Sequence, residues 1–291
     1  MHPELERLQR EYGWRPTLVA NETIPTLFHA ASVMQVTSAY SDSHTADRAN
    51  LDGTSWWYQT RNRIIIQELR TVPTGTAIWD IGCGTGVVSA ALRSTGHQIV
   101  GVEPSRAGAE ITARTGIPAF HTTLEKLELP SNSLAAVSLF DVLEHVQDRQ
   151  SLLHESHRVL QPQGYLFISV PALPVLWSQF DVDEAHQLRY TRSSLRSELV
   201  SAGFTVEVVG YFFALTVLPL LFLRALPYRI GIKKSLSDSA GVAARGGWLG
   251  RIASRIELTI ALRAPFGSSL FVLAQKSDTP HSPSSRFGEG I

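Results

Sequence analysis

Asp80, Gly82, Gly84 and Gly86 fall on alternate positions of the stretch IWDIGCGTGVV, Ile78 to Val88. Ile78 and Trp79 read as the end of a buried strand, the glycines as a loop and Val87 onward as a helix start, the order of a nucleotide cradle. A dinucleotide loop, G-x-G-x-x-G, would need its third glycine at position 87, where this chain has Val87. An acidic residue at the loop mouth also disfavours a pyrophosphate, which needs neutral amides at a helix N-terminus. A carboxylate there suits a cationic ligand. S-adenosylmethionine (SAM) carries an ammonium and a sulfonium and no phosphate, and glycines let its amino-acid end approach the backbone closely.

Glu103 ends the next apolar run, HQIVGVEPS, about twenty positions past the loop, where a carboxylate accepts hydrogen bonds from both ribose hydroxyls. That feature serves NAD and SAM alike. Methyl transfer from SAM is an in-line displacement at a carbon already activated by sulfonium, so a protein mainly aligns the groups and excludes water. A hydroxyl acceptor also needs a base, and histidine has the appropriate pKa. His145 and His186 lie on loops expected after the fourth and fifth strands. His186 is the leading candidate, with Asp181 able to orient it and Arg189 able to contact an anionic acceptor. The alternative for His186 is a loop histidine that fixes a cap by hydrogen bonding, and Tyr190 reads as packing or as lining of an acceptor cavity. His154 and His157 fall within a helix pattern. The segment DVLEH permits a metal reading through Asp141, Glu144 and His145, but three ligands from one short segment is a weak signal, and no metal is expected.

The elements that must position these residues alternate from about Thr76. Strands are expected at 76–81, 98–103, 118–121, 134–140, 164–170 and 204–210, and helices at 86–95, 105–114, 147–160 and 191–202. Such alternation predicts an α/β fold, a mostly parallel sheet with helices on both faces. Ligands bind such sheets beyond the carboxyl ends of the strands, where Gly82, Glu103, Thr122 and Asp141 converge. The expected organisation is an N-terminal cap over 1–72, a core over 73–210, an apolar and basic helical insertion over 211–267, a final core strand over 268–276 and a disordered tail over 277–291.

In the cap, SWWYQTRNRIIIQELR pairs two tryptophans with a helix bearing Arg61 and Arg63. Its arginines either face solvent or help close the active site, and the adjacent tryptophans are not expected both to face inward. In the insertion, Tyr211 to Pro227 is the longest apolar run, interrupted by Pro219 and Arg224. At about 1.5 Å per residue it falls short of the roughly 30 Å hydrocarbon core, which leaves a buried helical excursion or an in-plane membrane contact. Arg224, Arg229, Lys233, Lys234, Arg245, Arg251, Arg255 and Arg263 are opposed only by Asp238 and Glu257. Leu249, Ile252, Ile256 and Ile260 share one helix face, with Arg251 and Arg255 turned from it. This fits contact with an anionic lipid surface or an ordinary cap helix with a solvated basic side.

Across all 291 residues, 26 Lys and Arg balance 26 Asp and Glu, so no global field recruits nucleic acid. The single cysteine, Cys83, excludes a disulfide framework and a thiolate zinc cluster. The N-terminus mixes acids and bases and lacks an apolar signal core, so a cytoplasmic location is expected, peripheral on the membrane if the insertion binds lipid.

The segments IWDIGCGTG, VGVEPS, FDVLEHV, ESHRVLQPQGYLFISVP and LVSAGF together resemble the seven-stranded class I SAM-dependent methyltransferases, above all the small-molecule branch with the ubiquinone-pathway enzymes. The resemblance covers about Trp56 to Phe213 and returns at the final strand, which it implies is antiparallel. It implies that Asp80, Gly82, Cys83, Gly84 and Gly86 line the methionine end of SAM, that Glu103 and Pro104 hold the ribose, that Thr122, Thr123 and Leu124 border the adenine, and that Phe140 and Asp141 close the cofactor floor. Two positions depart from the family. HTTLEKL lacks the acidic residue that usually meets the adenine amine, leaving Thr122, Thr123 or a backbone carbonyl, and Leu134, Ala135 and Ala136 replace a usual acidic position. A narrower resemblance, in the Trp-Ser, Asp, His and Arg-Tyr-Thr pattern of Pro171 to Phe204 and in SWWYQTRNR, is to a bacterial subgroup associated with lipid-linked glycan assembly, with Leu188 replacing a common basic residue. The resulting expectation is a methyltransferase acting at oxygen on a small or lipid-linked acceptor, with His186 supplying the base. The alternatives are a SAM-binding, membrane-associated scaffold without turnover, and an NAD(P)-dependent oxidoreductase, for which the phosphate-compatible loop and a Tyr-x-x-x-Lys set are lacking.

Overall fold

Runs of five to seven residues that are almost wholly apolar, such as Ala77–Ile81 with Asp80 and Leu134–Phe140 with Ser138 as their polar members, suit strands covered on both sides, and in the computed structural model both are buried almost throughout. The structure describes residues 2–15, 18–20, 23–24, 26–30, 55–232 and 247–277. Lys233, Lys234 and Arg245 of the basic segment, the side chain of Leu249 and the tail from 278 lie outside that description.

The elements in chain order are α1 (Pro3–Tyr12), β1 (Leu18–Ala20), β2 (Leu27–Ala30), α2 (Trp56–Glu68), β3 (Ala77–Ile81), α3 (Val87–Arg93), β4 (Gln98–Glu103), α4 (Arg106–Arg114), β5 (Ala119–His121), β6 (Leu134–Phe140), α5 (Arg149–Val159), β7 (Leu160–Pro171), α6 (Gln179–Asp183), α7 (Arg192–Ser201) and β8 (Phe204–Phe212). Short helical turns follow over Ala214–Thr216, Val217–Leu220, Leu221–Ala225 and Leu226–Arg229, then α8 (Gly247–Ile260) and β9 (Ser269–Lys276). Local chemistry sets several boundaries. Ser105 caps α4 by accepting from the Gly108 amide (3.3 Å), and Asp148 caps α5 by accepting from the Ser151 amide (3.0 Å).

One sheet runs β1-β2-β5-β4-β3-β6-β7-β9-β8. From β2 to β7 the neighbours are parallel, and β9 inserts antiparallel between β7 and β8. The fold is the expected mostly parallel sheet with an antiparallel last strand, but among the described residues it has nine strands rather than seven. The two additional ones come from the N-terminal segment: β2 pairs in parallel with β5, Leu27 opposite Ala119, and β1 pairs with β2. Without them β5 would be an open edge, and covering it satisfies its outer ladder groups.

Two apolar layers sandwich the sheet. One gathers Leu5, Leu8 and Trp14 after α1 with Leu152 and Leu153 of α5 and Leu195 and Leu199 of α7. The other joins Ile64 and Ile65 of α2 to Val88, Leu92, Phe212 and Phe213. Trp56 and Trp57 are both half-buried, contrary to expectation, because Phe213 serves both: its ring stacks on Trp57 at 3.7 Å and meets Trp56 edge to face at 6.0 Å. Phe213 holds a left-handed backbone, φ 59°, that turns its ring back toward α2.

The insertion contradicts simple amphipathic reasoning. In α8 the buried side is polar: Ser254 accepts a hydrogen bond from Thr60 of α2 (2.8 Å), and Glu257, fully buried, accepts from the amides of Ala214 (3.1 Å) and Leu215 (2.7 Å). Ile252 and Ile256 are consequently exposed on the opposite side, together with Trp248. The run Tyr211 to Pro227 divides: its first three residues are buried at the end of β8, whereas Leu218, Phe222 and Leu223 face solvent, Phe222 at 61% exposure. Among the described residues no helix is long and apolar enough to cross a membrane.

Candidate active site

The loop between β3 and α3 carries Gly82, Gly84 and Gly86 at φ 71°, 55° and 75°, a conformation that side chains resist. A Cβ on Gly82 would come within 2.6 Å of Val142, and one on Gly86 within 2.7 Å of the Thr112 hydroxyl. At Gly84 nothing lies within 4 Å, so this glycine borders open space. Glu103, buried at the tip of β4, accepts from the amides of Gly84 (2.8 Å) and Ser105 (2.7 Å), one on each carboxylate oxygen. It thereby ties the glycine loop to the start of α4. Pro104 follows, half-buried.

Asp80 lies beneath the loop. Its Oδ1 accepts from Ser138 on the adjacent strand (2.8 Å) and its Oδ2 from Ser89 on α3. Burial raises its carboxyl, opposed by those two hydrogen bonds and by the charge of Arg61. Cys83 is a packing residue: burial and the charges of Glu103 and Asp80 push its thiol well above its usual range, away from nucleophilic chemistry. Thr122, at the end of β5, is buried, and its Oγ1 has no hydrogen-bond partner among the described residues. Thr123 is half-buried, and Leu124 is fully buried in the core. The open cradle at Gly84 and the unsatisfied Thr122 hydroxyl fit a bound nucleoside with an amino-acid tail.

Phe140 ends β6 within the second apolar layer, and Asp141 follows at φ 56°. Its Oδ1 accepts from the Ser169 hydroxyl (2.8 Å) and its Oδ2 pairs with Arg61, whose side chain is only 8% exposed. Arg61 also lies over the Tyr58 ring at 4.9 Å. Of the two arginines on α2, Arg61 is therefore buried at the carboxyl edge of the sheet and Arg63 is exposed. Left-handed backbone recurs along this edge at Asp141, Leu173, Ala185 and Phe213, a conformation that costs L-residues about 1 to 2 kcal/mol each.

On the other side of Asp141, the loops after β6 and β7 meet. Asp181, with no exposed surface, accepts from His186 Nδ1 (2.9 Å) and Arg189 Nε (2.7 Å) through Oδ1, and from the Ser178 amide (2.9 Å) through Oδ2. Burial pushes its carboxyl up, but the His186 hydrogen bond and the Arg189 charge outweigh it and hold Asp181 below its ordinary value. A carboxylate can only accept, so His186 donates from Nδ1 and keeps its lone pair on Nε2. The His145 and His186 rings are 4.9 Å apart. Arg189 is committed to Asp181 and to the Ala172 carbonyl (3.1 Å), and Tyr190 is buried in the core.

Glu144, His145 and His186 place ligand-capable atoms within 4.8 Å of one another, so the group able to hold a cation includes His186 and not Asp141. Burial, reinforced by Asp141, pushes the Glu144 carboxyl well above its ordinary range. Sequence reasoning found the histidines and Asp181 and left Arg61 open between solvent and the active-site edge, but missed the two serines on Asp80 and the approach of Arg224, whose guanidinium lies 4.8 Å from the Phe180 ring beside His186. None of these has a local sequence signal, since each depends on segments distant in the chain.

The comparisons agree with this architecture. A family model described as a methyltransferase domain matches residues 44–209. A Mycolicibacterium smegmatis protein named a probable S-adenosylmethionine-dependent methyltransferase is 27% identical over 157 residues, 53% of this chain and 61% of the relative. A ubiquinone biosynthesis O-methyltransferase of Leptothrix cholodnii is 26% identical over 103 residues, 33% of this chain and 44% of the relative. The chain thus spans less than two thirds of the length of these relatives. The Haemonchus contortus phosphoethanolamine N-methyltransferase 2 solved with S-adenosyl-L-methionine superposes with a TM-score of 0.56 at 18% identity, covering 85% of this chain and 61% of that one, and shares the fold. With the glycine cradle, the strand order and a family match over more than half of its length, the chain belongs to the class I SAM-dependent methyltransferases.

Proposed function

We propose that this protein transfers a methyl group to an oxygen of a lipid-linked acceptor at an anionic membrane surface, with His186 as the base. The observation that carries the reading is the buried Asp181–His186 pair, in which Asp181 engages Nδ1 of His186 and leaves Nε2 to serve as the base. When bound, SAM supplies a methyl carbon made electrophilic by its sulfonium. The work of the chain is positional. Gly82, Gly84 and Gly86 shape the cradle for the methionine end, Glu103 takes the ribose, and Thr122 and Thr123 border the adenine. Arg61, paired with Asp141, holds α2 across the carboxyl edge and keeps water from it.

His186 removes the hydroxyl proton as the oxygen attacks, and Asp181 stabilises the imidazolium that results. The lipid-linked class rests on the outward apolar side chains Leu218, Phe222, Leu223, Trp248, Ile252 and Ile256, interspersed with the exposed Arg229, Arg251 and Arg255. Apolar side chains among cations are the composition of an interfacial anchor. The test is incubation of the protein with SAM labelled at the methyl carbon and a total lipid extract. Label should move into the organic phase as an alkali-stable ether, and label confined to the aqueous phase would refute a lipid-linked acceptor.

A further inference from the structure

Arg224 lies in the turn Leu221–Ala225, which packs against Pro174–Leu176 and α6. Its guanidinium covers the Phe180 ring at 4.8 Å, and Phe180 meets His186 edge to face at 6.2 Å. The other cations of this corner are committed, Arg61 to Asp141 and Arg189 to Asp181. Among the described residues no carboxylate lies within ion-pair distance of Arg224; burial and the like charge of Arg189 disfavour its cation, and only the more distant charge of Asp181, itself paired with Arg189 and His186, favours it. Arginine cannot relieve that cost by losing its proton, so the fork remains charged and seeks an anion.

We propose that Arg224 forms a phosphate subsite beside His186, holding a phosphoester group carried by the methyl acceptor. A guanidinium braced on an aromatic face presents planar paired donors that match phosphate oxygens. Position favours phosphate as well. Phe222 and Leu223, next to Arg224, face outward, whereas Phe180 and His186 lie inward, so Arg224 marks the boundary between apolar surface and reacting centre. A lipid-linked phosphoester carries its charge at the same kind of boundary. This inference rests on the reading that the acceptor enters beside His186.

The test separates binding from turnover. Protein saturated with S-adenosylhomocysteine is titrated with inorganic phosphate by calorimetry, in wild type and in Arg224→Gln and Arg224→Lys. Phosphate affinity should fall at least tenfold in Arg224→Gln and less in Arg224→Lys, with S-adenosylhomocysteine affinity unchanged in both. Equal phosphate affinity in wild type and Arg224→Gln, or no phosphate binding by wild type, overturns the subsite. If Arg224→Gln fails to fold, the Lys variant decides, because it keeps the charge and loses the fork. Failure of wild type to bind S-adenosylhomocysteine strikes the methyltransferase reading instead. Phosphatidylcholine vesicles with and without phosphatidic acid identify the source: Arg224-dependent binding to the acidic vesicles assigns the phosphate to a lipid headgroup, and Arg224-dependent binding of inorganic phosphate alone assigns it to a soluble phosphoester.

Discussion

Glu103 and His186 carry opposite halves of the proposed chemistry, and each can be removed without touching the other. Glu103→Ala deletes the acceptor of two backbone amides as well as the proposed ribose contact. We expect SAM affinity to fall by about 2 to 4 kcal/mol, the loss of two charge-assisted hydrogen bonds. Calorimetric titration with SAM checks it, and a folded variant with unchanged affinity removes Glu103 from the cofactor site. His186→Ala should lower turnover by about 10² or more, the usual contribution of a general base, with SAM affinity preserved. Asp181→Asn should lower turnover too, because an amide no longer fixes the Nδ1 proton of His186. Equal loss of SAM binding and turnover in His186→Ala would indicate a structural histidine. At this scale the cradle was legible, since Asp80 through Gly86 are contiguous and glycine declares its backbone. The pairing of Arg61 with Asp141, eighty positions apart, was not, because a helical arginine reads as solvated until the helix has a place to pack.

Helix α8 makes the same point for elements. Its isoleucine spacing predicted an apolar stripe and gave no sign of which side would be buried. The deciding groups are Thr60 and the amides of Ala214 and Leu215, which draw Ser254 and Glu257 inward. Satisfying two backbone donors with a carboxylate is comparable in size to burying two isoleucines, about 1 to 3 kcal/mol per group in each case, so apolar spacing alone does not decide the buried side. By contrast the parallel strands β3 to β7 were legible to within a few residues, because a strand buried on both faces is mostly apolar and the loops around it are marked by glycine and proline, whereas β1 and β2 of the N-terminal segment were not. Glu257 supplies a pH test. Burial raises its carboxyl, opposed by the amides of Leu215, Ala214 and Phe213. A raised folded pKa means that the folded chain binds this proton more tightly than the unfolded chain. Its contribution to stability is full below the unfolded value, about 4.3, and is lost as pH rises through the folded value. Wild type should therefore lose Tm relative to Glu257→Gln as pH rises above the unfolded value, about 4.3. A Tm difference that stays constant above that pH would show that Glu257 titrates at its ordinary value.

At the scale of the whole molecule the sheet divides the labour. Its central carboxyl edge carries the residues proposed to hold cofactor and acceptor, its N-terminal side carries β1 and β2, and its C-terminal side carries the turns after β8 and helix α8, which leave a polar attachment inward and apolar side chains outward. Family membership accounts for the first part and is silent on the last. If that outer side is a membrane anchor, its two components respond differently to conditions. Each Arg near an anionic bilayer contributes about 1 kcal/mol, screened over a Debye length of about 10 Å at 0.1 M salt, whereas each inserted Phe, Leu or Trp contributes up to about 1.5 to 3 kcal/mol at any salt. The protein should therefore sediment with anionic vesicles at low salt and progressively less as salt is added. Arg251→Gln with Arg255→Gln should weaken binding mainly at low salt, and Phe222→Ser with Trp248→Ser should weaken it at every salt concentration. Both pairs are exposed, Trp248 at 64%, so neither should disturb the fold. Wild-type protein that remains in the supernatant with anionic vesicles at low salt would reduce the outer side to a cap, and the lipid-linked acceptor would lose its principal support.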